Sequence, residues 1–273
     1  MENFKLNNGL EIPSIGLGVF RLEDNKEAQH VVEMALSVGY RHIDTAMIYQ
    51  NEEAVGNAIK ASGVQRENIF ITTKLWNENQ RKGDVMQTFE DSLRKLKTDY
   101  VDLYLIHWPV SDKFVESWKV LEKIYESGKA RAIGVSNFKR HHLDELKKVS
   151  DIIPAVNQIE LHPYLSQEQE LEYCLKAGIV LEAWSPFTAG KTGLLKDEVL
   201  TEIAERYSKS TAQIILRWNY QRGVITIPKS ANQQRLEENI NIFDFSLTVS
   251  DMSKIGQMNV NKRVGPDPDN INF

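Results

Sequence analysis

The 273-residue sequence predicts one α/β domain with the fold of a (β/α)8 TIM barrel, and three observations support this class. Eight strand-like runs alternate with eight segments of helical period, the connections between them are short, and the repeats occupy almost the whole chain. Short connections make consecutive strands parallel, so the sheet either closes as a barrel or opens as a doubly wound sheet. Eight repeats in a chain near the roughly 250 residues typical of such barrels favour closure.

A β-hairpin is predicted at about residues 3–12, before the first repeat. The stretch FKLNNGLEIP carries Asn8-Gly9 between alternating apolar residues, which is a strong hairpin signal. Because the hairpin stands outside the eight repeats, we expect it to plug the bottom of the barrel.

The eight strand-like runs are rich in Val and Ile and are bounded by polar residues or glycine, as is typical of strands buried on both faces. They lie at 14–18, 40–46, 68–76, 100–108, 129–137, 155–162, 178–186 and 223–230. After the last repeat, a tail at about 260–273 contains Pro266 and Pro268 among Asp and Asn, which predicts a loop.

The segments between the strands have the apolar spacing of amphipathic helices. In KEAQHVVEMALSVG the apolar stripe is followed by Gly39, placed as a helix stop. The other segments are NEEAVGNAIKASG, DVMQTFEDSLRKLK, KFVESWKVLEKIYESG, RHHLDELKKV, SQEQELEYCLKAG and QQRLEENINIF. After the seventh strand, DEVLTEIAERYSK is expected to continue into TAQIILRWNYQRG.

Composition and charge exclude several classes of function. The net charge of −5, from 33 Lys and Arg against 38 Asp and Glu, gives no general attraction for nucleic acid or for anionic membranes. The single cysteine, Cys174, excludes an internal disulfide and a thiolate metal cage. No apolar run approaches the roughly 18 residues of a membrane span, so we expect a cytoplasmic protein. The predicted array of repeats has no exposed end, which also permits a monomeric protein.

Four polar side chains gather at predicted strand ends, where barrels of this type carry their functional residues. The second strand ends at Asp44 and is followed by Tyr49, the third strand carries Lys74 and the fourth carries His107. Strand alternation allows Asp44, Lys74 and His107 to point into one barrel mouth. We expect the Lys74 ammonium to stabilise a phenolate and lower the pKa of Tyr49 toward neutrality, while Asp44 keeps Lys74 charged.

Each of these residues alone has a structural interpretation. Asp44 and Lys74 could form an ion pair at the barrel rim, Tyr49 could be a loop aromatic and His107 could be a core histidine. Their joint placement on three successive strand ends favours a functional site. Two other classes of protein remain open. One is a cofactor-binding sensor that keeps the barrel with little turnover. The other is a metal-dependent barrel hydrolase, although no H-x-H or H-E-x-x-H spacing is present; its ligands would come from His42, Asp44, His107 and His162.

Six ordered segments resemble the aldo-keto reductase superfamily. They are GYRHIDTAMIYQNEEAVG, LYLIHWP, IGVSNF, VNQIELHPY, EAWSP and IPKSANQQRLEENI, and the resemblance runs from the hairpin to the tail. The short loops resemble those of prokaryotic members that reduce diketogluconates, methylglyoxal and other aldehydes. The resemblance implies a (β/α)8 barrel that reduces small carbonyl compounds without a metal. It also implies that Tyr49 is the general acid, that Lys74 and Asp44 tune it, and that His107 orients the carbonyl oxygen.

The same resemblance implies NADPH as the hydride donor. The residues it assigns to the cofactor are Ser136, Asn137, Gln158, Trp184, Ser185, Pro186, Phe187, Lys229, Ser230, Arg235, Glu238 and Asn239. The chemistry of these groups suits that role, because Trp184 offers a flat face for a nicotinamide and the amides of Asn137 and Gln158 can pair with a carboxamide. Lys229 and Arg235 bring two cations near a helix N-terminus, where a 2′-phosphate would bind.

The substrate pocket is predicted at the same barrel mouth. Trp76 and Trp108 each lie just beyond a strand end, and with Phe20 they are interpreted as pocket walls. The loop after Trp184 and the tail after Val264 would complete the pocket. Small differences in these segments change preference between aldehydes and sugar ketones, so the motifs do not identify the physiological substrate.

Overall fold

The computed structural model describes residues 2–22, 24–271 and 273. Every predicted strand-like run contains a strand, in each case shorter than the run because its ends pass into loops. The strands are β1 (Asn3–Lys5), β2 (Glu11–Pro13), β3 (Leu17–Gly18), β4 (His42–Asp44), β5 (Phe70–Leu75), β6 (Val101–Ile106), β7 (Ala130–Ser136), β8 (Val156–Glu160), β9 (Val180–Trp184) and β10 (Ile225–Thr226).

Strands β3 to β10 form one parallel sheet in chain order, and the sheet closes on itself. Ile15, just before β3, makes a parallel bridge with Thr226 of β10. The Gly16 amide donates to the Thr226 carbonyl oxygen at 2.8 Å, and the Thr226 amide donates to the Ser14 carbonyl oxygen at 3.1 Å. The predicted (β/α)8 barrel is therefore confirmed.

The N-terminal hairpin pairs β1 with β2 in antiparallel register, from Asn3 opposite Pro13 to Lys5 opposite Glu11. Its apolar side chains enter the barrel from below. Leu6 and Ile12 are buried in a cluster with Phe70 and Val156, the first residues of β5 and β8. Since these residues mark the N-terminal ends of the strands, the hairpin covers the bottom of the barrel, as expected.

The helices surround the sheet and bury their apolar faces against it. They are α1 (Asn25–Ser37), α2 (Glu52–Ala61), α3 (Asn77–Lys82), α4 (Val85–Leu96), α5 (Phe114–Glu126), α6 (Arg140–Lys147), α7 (Glu168–Ala177), α8 (Glu198–Tyr207), α9 (Thr211–Gln221), α10 (Gln233–Ile240) and α11 (Val249–Gly256). Within the described ranges, no helix is long and apolar enough to cross a membrane.

The helical content departs from prediction in two ways. The expected continuous segment after the seventh strand is two helices, because Ser208 has a left-handed φ of 52° and Ser210 begins α9 with a capping box to Gln213. The short α3 and the late α11 were not predicted. Helix α3 buries only the polar residues Asn77 and Gln80, so it carries no apolar stripe that could signal it.

Candidate active site

Side chains from three neighbouring strands form one cluster at the C-terminal end of the barrel. Asp44 ends β4, Lys74 lies near the end of β5 and His107 directly follows β6. The Lys74 Nζ atom is 2.6 Å from Asp44 Oδ1, 2.8 Å from the Thr45 carbonyl oxygen and 5.1 Å from the centre of the Tyr49 ring. The Tyr49 and His107 rings meet edge to face with centres 5.7 Å apart. The structure thus brings together all four residues predicted from the strand ends.

Burial and neighbouring charges set the protonation of Lys74 and His107. Burial alone would lower the pKa of Lys74, but the Asp44 carboxylate, with smaller contributions from Tyr49 and Glu182, raises it by more in total, so the pKa is raised and Lys74 remains an ammonium. Burial lowers the pKa of His107 well below its ordinary value, and the Lys74 charge lowers it further. His107 is therefore a neutral imidazole near pH 7.

The predicted direction of the Tyr49 pKa shift is wrong. Burial raises the pKa of Tyr49, the Lys74 ammonium lowers it and the Asp44 carboxylate raises it again, with a net pKa above the ordinary value. The charge of Lys74 alone favours a lower pKa, but the loss of water around the phenol is the larger effect. In this structure the phenol is held in its protonated form, with the ammonium beside its ring.

Two aromatic side chains flank the cluster on its open side. Phe20 is 53% exposed and its ring centre lies 4.9 Å from that of Tyr49. The Trp76 ring lies edge to face with His107 at 5.2 Å. Both of these predicted pocket residues therefore lie beside the polar groups of the cluster.

Trp108, the third predicted wall, is nearly buried and is covered by a residue that the sequence did not suggest. The Phe273 ring stacks on Trp76 at 5.8 Å and meets the edge of Trp108 at 5.4 Å. The Phe273 backbone oxygen accepts hydrogen bonds from Asn77 Nδ2 at 3.2 Å and from Arg81 Nη2 at 2.9 Å. The end of the tail thus forms part of the aromatic wall, with α3 as its support.

The ends of β7 and β9 hold Asn137 and Trp184 in a fixed relation to His107. Asn137 has a left-handed φ of 64°, and its Nδ2 donates to the His107 carbonyl oxygen at 3.0 Å and to Ser136 Oγ at 3.1 Å. Its Oδ1 accepts from Trp184 Nε1 at 2.9 Å. The amide of Asn137 is therefore already engaged within the protein, where it orients the half-buried Trp184 ring.

Gln158 connects this side of the mouth to the ion pair. Its Nε2 donates to Asp44 Oδ2 at 2.7 Å and to Glu182 Oε2 at 3.0 Å. Among the residues that the structure describes, no donor contacts the Gln158 Oε1 atom. Gln158 thus retains a side-chain acceptor, and its binding to a carboxamide stays a prediction.

The residues predicted to bind a 2′-phosphate come together at the start of α10. Ser230 Oγ accepts from the Asn232 amide at 3.1 Å, and Asn232 caps the helix by accepting from the Arg235 amide at 3.0 Å. Lys229 lies immediately before this turn, and its Nζ donates to the Arg21 carbonyl oxygen at 2.9 Å. Lys229 therefore precedes the N-terminus of α10, and Arg235 lies in the first turn of that helix.

The remaining predicted cofactor residues lie in the loop after β9 and farther along α10. Ser185 has a left-handed φ of 51° and starts the loop, which continues through Pro186 and Phe187 into a 3-10 turn. On α10, Glu238 is half-buried, whereas Asn239 is only 4% exposed. Asn239 therefore points largely into the protein.

The ligand positions do not support a metal-dependent hydrolase. Over residues 2–22, 24–271 and 273, one group places three ligand atoms within 4.8 Å of one another, and it consists of His141, His142 and Asp269. The Lys139 Nζ lies 2.6 Å from Asp269 Oδ2, so an ammonium pairs with this carboxylate through the oxygen that faces away from the two histidines. The ligands proposed from the sequence form no such group in these ranges; they are His42, Asp44, His107 and His162.

A comparison with known protein families gives a match to the model of the aldo/keto reductase family over residues 14–260. The chain belongs to this family. Glyoxal reductase of Bacillus subtilis (strain 168) is 55% identical over 272 residues, which is 100% of this chain and 98% of the relative. The resemblance inferred from the six sequence segments is thereby confirmed.

Solved structures of aldo-keto reductases share the whole fold. The crystal structure of an aldo-keto reductase enzyme from a Medee basin deep-sea metagenome library has a TM-score of 0.95 and 44% identity, covering 99% of this chain and 100% of that one. A Bombyx mori aldo-keto reductase in complex with NADP has a TM-score of 0.91 and 40% identity, covering 98% of this chain and 96% of that one.

In this aldo/keto reductase, Glu160 fixes the start of the C-terminal tail against the site. Its two carboxylate oxygens accept from the amides of Val264 at 2.7 Å and Gly265 at 3.0 Å. Lys191, in the loop after β9, donates to the Val264 carbonyl oxygen at 3.1 Å. A Cβ atom on Gly265 would lie 2.4 Å from Trp184 Cη2. The tail therefore passes in contact with the Trp184 ring and is tied to the loop beside it.

Glu160, Glu182 and Phe273 were not predicted from the sequence as residues of the site. The two glutamates did give a signal, since each is an acidic residue within a run predicted to be buried on both faces. Phe273 lies in the tail after Val264 that was predicted to complete the pocket, but nothing in the tail composition indicates that this residue reaches Trp76 and Trp108.

Proposed function

We propose that this aldo/keto reductase reduces small aldehydes and ketones to alcohols with NADPH as hydride donor. The observation that carries the proposal is the cluster of a protonated phenol, a buried ammonium and a neutral imidazole at the barrel mouth. These are a proton donor, a charge that stabilises the phenolate left behind, and a polar group that can bind a carbonyl oxygen.

The residues around the barrel mouth fit NADPH. Trp184 presents a half-buried ring oriented by Asn137, and Gln158 retains an amide oxygen that can accept from a carboxamide. Lys229 and Arg235 adjoin the N-terminus of α10, which suits a 2′-phosphate. When bound, NADPH supplies the hydride that becomes the new C–H bond and leaves as NADP⁺.

The protein's own residues would supply the proton. Tyr49 would donate the proton of its hydroxyl to the carbonyl oxygen as the C=O double bond becomes a single bond, and solvent would then reprotonate the phenolate. Lys74 would stabilise that phenolate, and Asp44 keeps Lys74 charged. His107 would orient the carbonyl oxygen without itself carrying charge.

The aromatic walls favour small or flat carbonyl compounds. Phe20, Trp76 and Phe273 surround the cluster with ring faces and edges. With a glyoxal reductase as a relative of this chain, 2-oxoaldehydes are the substrate class that we propose first, ahead of aromatic aldehydes and keto-sugars. A cytoplasmic location and a monomeric state remain predictions.

The test is NADPH oxidation by the purified protein with methylglyoxal, an aromatic aldehyde and a keto-sugar, each with and without a chelator. We expect chelator-resistant oxidation that requires the carbonyl compound. Tyr49→Phe should lower kcat about 10²- to 10⁴-fold and leave the NADPH Kd nearly unchanged, since the phenol acts in the transition state. Tight NADPH binding without turnover in the unmodified protein would instead support the sensor, and activity restored by metal would support the hydrolase.

A further inference from the structure

Glu182 is a fully buried carboxyl group inside the barrel, two residues before Trp184. Its Oε2 accepts from Gln158 Nε2 at 3.0 Å. Its Oε1 makes no hydrogen bond to any described residue, and His42 Nε2 lies 3.6 Å from it. A buried carboxyl with an unsatisfied oxygen is costly, and a strand that only needed packing would carry an apolar residue there.

Two hydrogen bonds from its nitrogen fix the direction of the Gln158 amide. Two carboxyl groups, those of Asp44 and Glu182, take the two hydrogens of the same Nε2 atom. An amide held at both N–H bonds cannot exchange its nitrogen and oxygen without losing both partners. The Gln158 Oε1 is therefore kept as the free end of the side chain. Removing either carboxyl leaves one of the two hydrogen bonds that hold the amide in this orientation.

We infer that Glu182 is a positioning residue for cofactor binding, which fixes the Gln158 amide so that its oxygen accepts from the nicotinamide carboxamide and its nitrogen stays on Asp44. The inference rests on the proposed function. The role of Glu182 goes beyond the proposed function, because Glu182 is a carboxyl group inside the barrel, next to the Lys74 and Asp44 pair.

Glu182 is also expected to ionise between pH 6.5 and 9. Burial, together with the nearby Asp44 carboxylate, raises the pKa of Glu182 to about 8, against the opposing effects of the Gln158 hydrogen bond and the Lys74 ammonium. Burial also raises the pKa of Asp44, which the Lys74 ammonium opposes. The other four titratable groups near Glu182 keep one charge state between pH 6.5 and 9. His42 has a pKa lowered to about 3 and His107 one well below its ordinary value, so both are neutral, while Tyr49 and Lys74 have raised pKa values.

A change of charge at Glu182 should discriminate between the two redox states of the cofactor. NADP⁺ and NADPH carry the same phosphates and differ by the positive charge on the nicotinamide ring. Ionised Glu182 would favour the cation, so the ratio of the NADP⁺ Kd to the NADPH Kd should fall about tenfold from pH 6.5 to pH 9 in the unmodified protein.

The experiment compares Glu182→Gln and Glu182→Met with the unmodified protein, by following NADPH and NADP⁺ binding through tryptophan fluorescence from pH 6.5 to 9. Glu182→Gln keeps an acceptor for Gln158 but cannot ionise, so its NADPH Kd at pH 6.5 should stay within about twofold and the pH dependence of the ratio should disappear. Glu182→Met lacks the acceptor, so its NADPH Kd should rise about tenfold. Glu52→Gln is the matched control, because Glu52 is equally buried but bonds Thr73 on the outer side of β5, at 2.6 Å.

A pH-dependent ratio that persists in Glu182→Gln would overturn the inference, as would unchanged NADPH affinity in a folded Glu182→Met protein. Should Glu182→Met not fold, the Glu182→Gln pH series decides alone. If the unmodified protein reduces carbonyl compounds and the Glu182 variants bind both cofactor forms normally, only the role of Glu182 is refuted. Unmodified protein that binds no NADPH refutes the proposed function and this inference together.

Discussion

The Lys74 ammonium lies 2.6 Å from the Asp44 carboxylate, and neither side chain is more than 2% exposed. Ion pairs this deep are costly to desolvate and are poor general stabilisers, so their presence at a barrel mouth indicates a use. Asp44 fixes the charge on Lys74, and Lys74 in turn lies against the Tyr49 ring. The pair therefore links the stability of the barrel to the chemistry proposed at its mouth.

Lys74→Met should destabilise the protein by about 3–5 kcal/mol, because it leaves the Asp44 carboxylate buried without its counter-charge. Urea unfolding would measure the change. In the double variant Lys74→Met with Asp44→Asn, the loss should be smaller than the sum of the two single losses, since the second substitution removes the unpaired charge. Strictly additive losses would show that the two groups are not coupled.

Arg235→Ala should raise the NADPH Kd about tenfold or more and leave the NADH Kd within about twofold, because only NADPH carries the 2′-phosphate. Fluorescence titration with both cofactors measures this. Arg140→Ala is a suitable control, since Arg140 is an exposed arginine that begins α6. Equal effects of Arg235→Ala on both cofactors would remove Arg235 from the proposed phosphate site.

Gly265→Ala should displace the tail from the Trp184 ring, since the added Cβ would lie 2.4 Å from Trp184 Cη2. We expect a KM for carbonyl substrate raised about tenfold, with a loss of stability of about 1–3 kcal/mol. Gly256→Ala serves as the control, because a Cβ there has no atom within 4 Å and helix α11 should gain slightly from alanine. Unchanged substrate KM in Gly265→Ala would mean that the tail does not shape the pocket.

Asp251 should contribute a pH-dependent part of the stability. Burial opposes its ionisation, but hydrogen bonds from Thr248 and Tyr207 and the pairing with Arg206 hold its pKa well below the ordinary value. Because the folded pKa is the lower one, this stabilisation is complete above the unfolded pKa near 3.8 and is lost as pH falls toward the folded value.

Asp251→Asn should therefore lower the free energy of unfolding by about 1.5–3 kcal/mol at pH 7 and by the same amount at pH 5, with a smaller difference at pH 3. Urea unfolding at pH 7, 5 and 3 would measure it. Asp244→Asn, which affects only the exposed pair with Lys209, should cost less than about 1 kcal/mol at every pH. A difference for Asp251→Asn that does not change with pH would contradict the linkage.

Much of the barrel and its mouth follows from local sequence patterns. Strand alternation directed Asp44, Lys74 and His107 to the same side, and the eightfold repeat predicted closure. Local patterns gave a wrong prediction where two helices adjoin. Ser208, in the left-handed conformation, separates two helices that were predicted as one continuous segment.

The sequence by itself determined the fold class, the hairpin and which polar residues reach the strand ends, because alternation and strand order are local properties of the chain. Only the tertiary structure decided the direction of the Tyr49 pKa shift, the contacts of Glu182 and the position of Phe273. Each of these depends on groups brought close from distant parts of the chain: burial outweighs the Lys74 charge at Tyr49, Gln158 bridges β4 and β9, and the tail returns to α3. Desolvation and long-range hydrogen bonds have no signature in the spacing of residues.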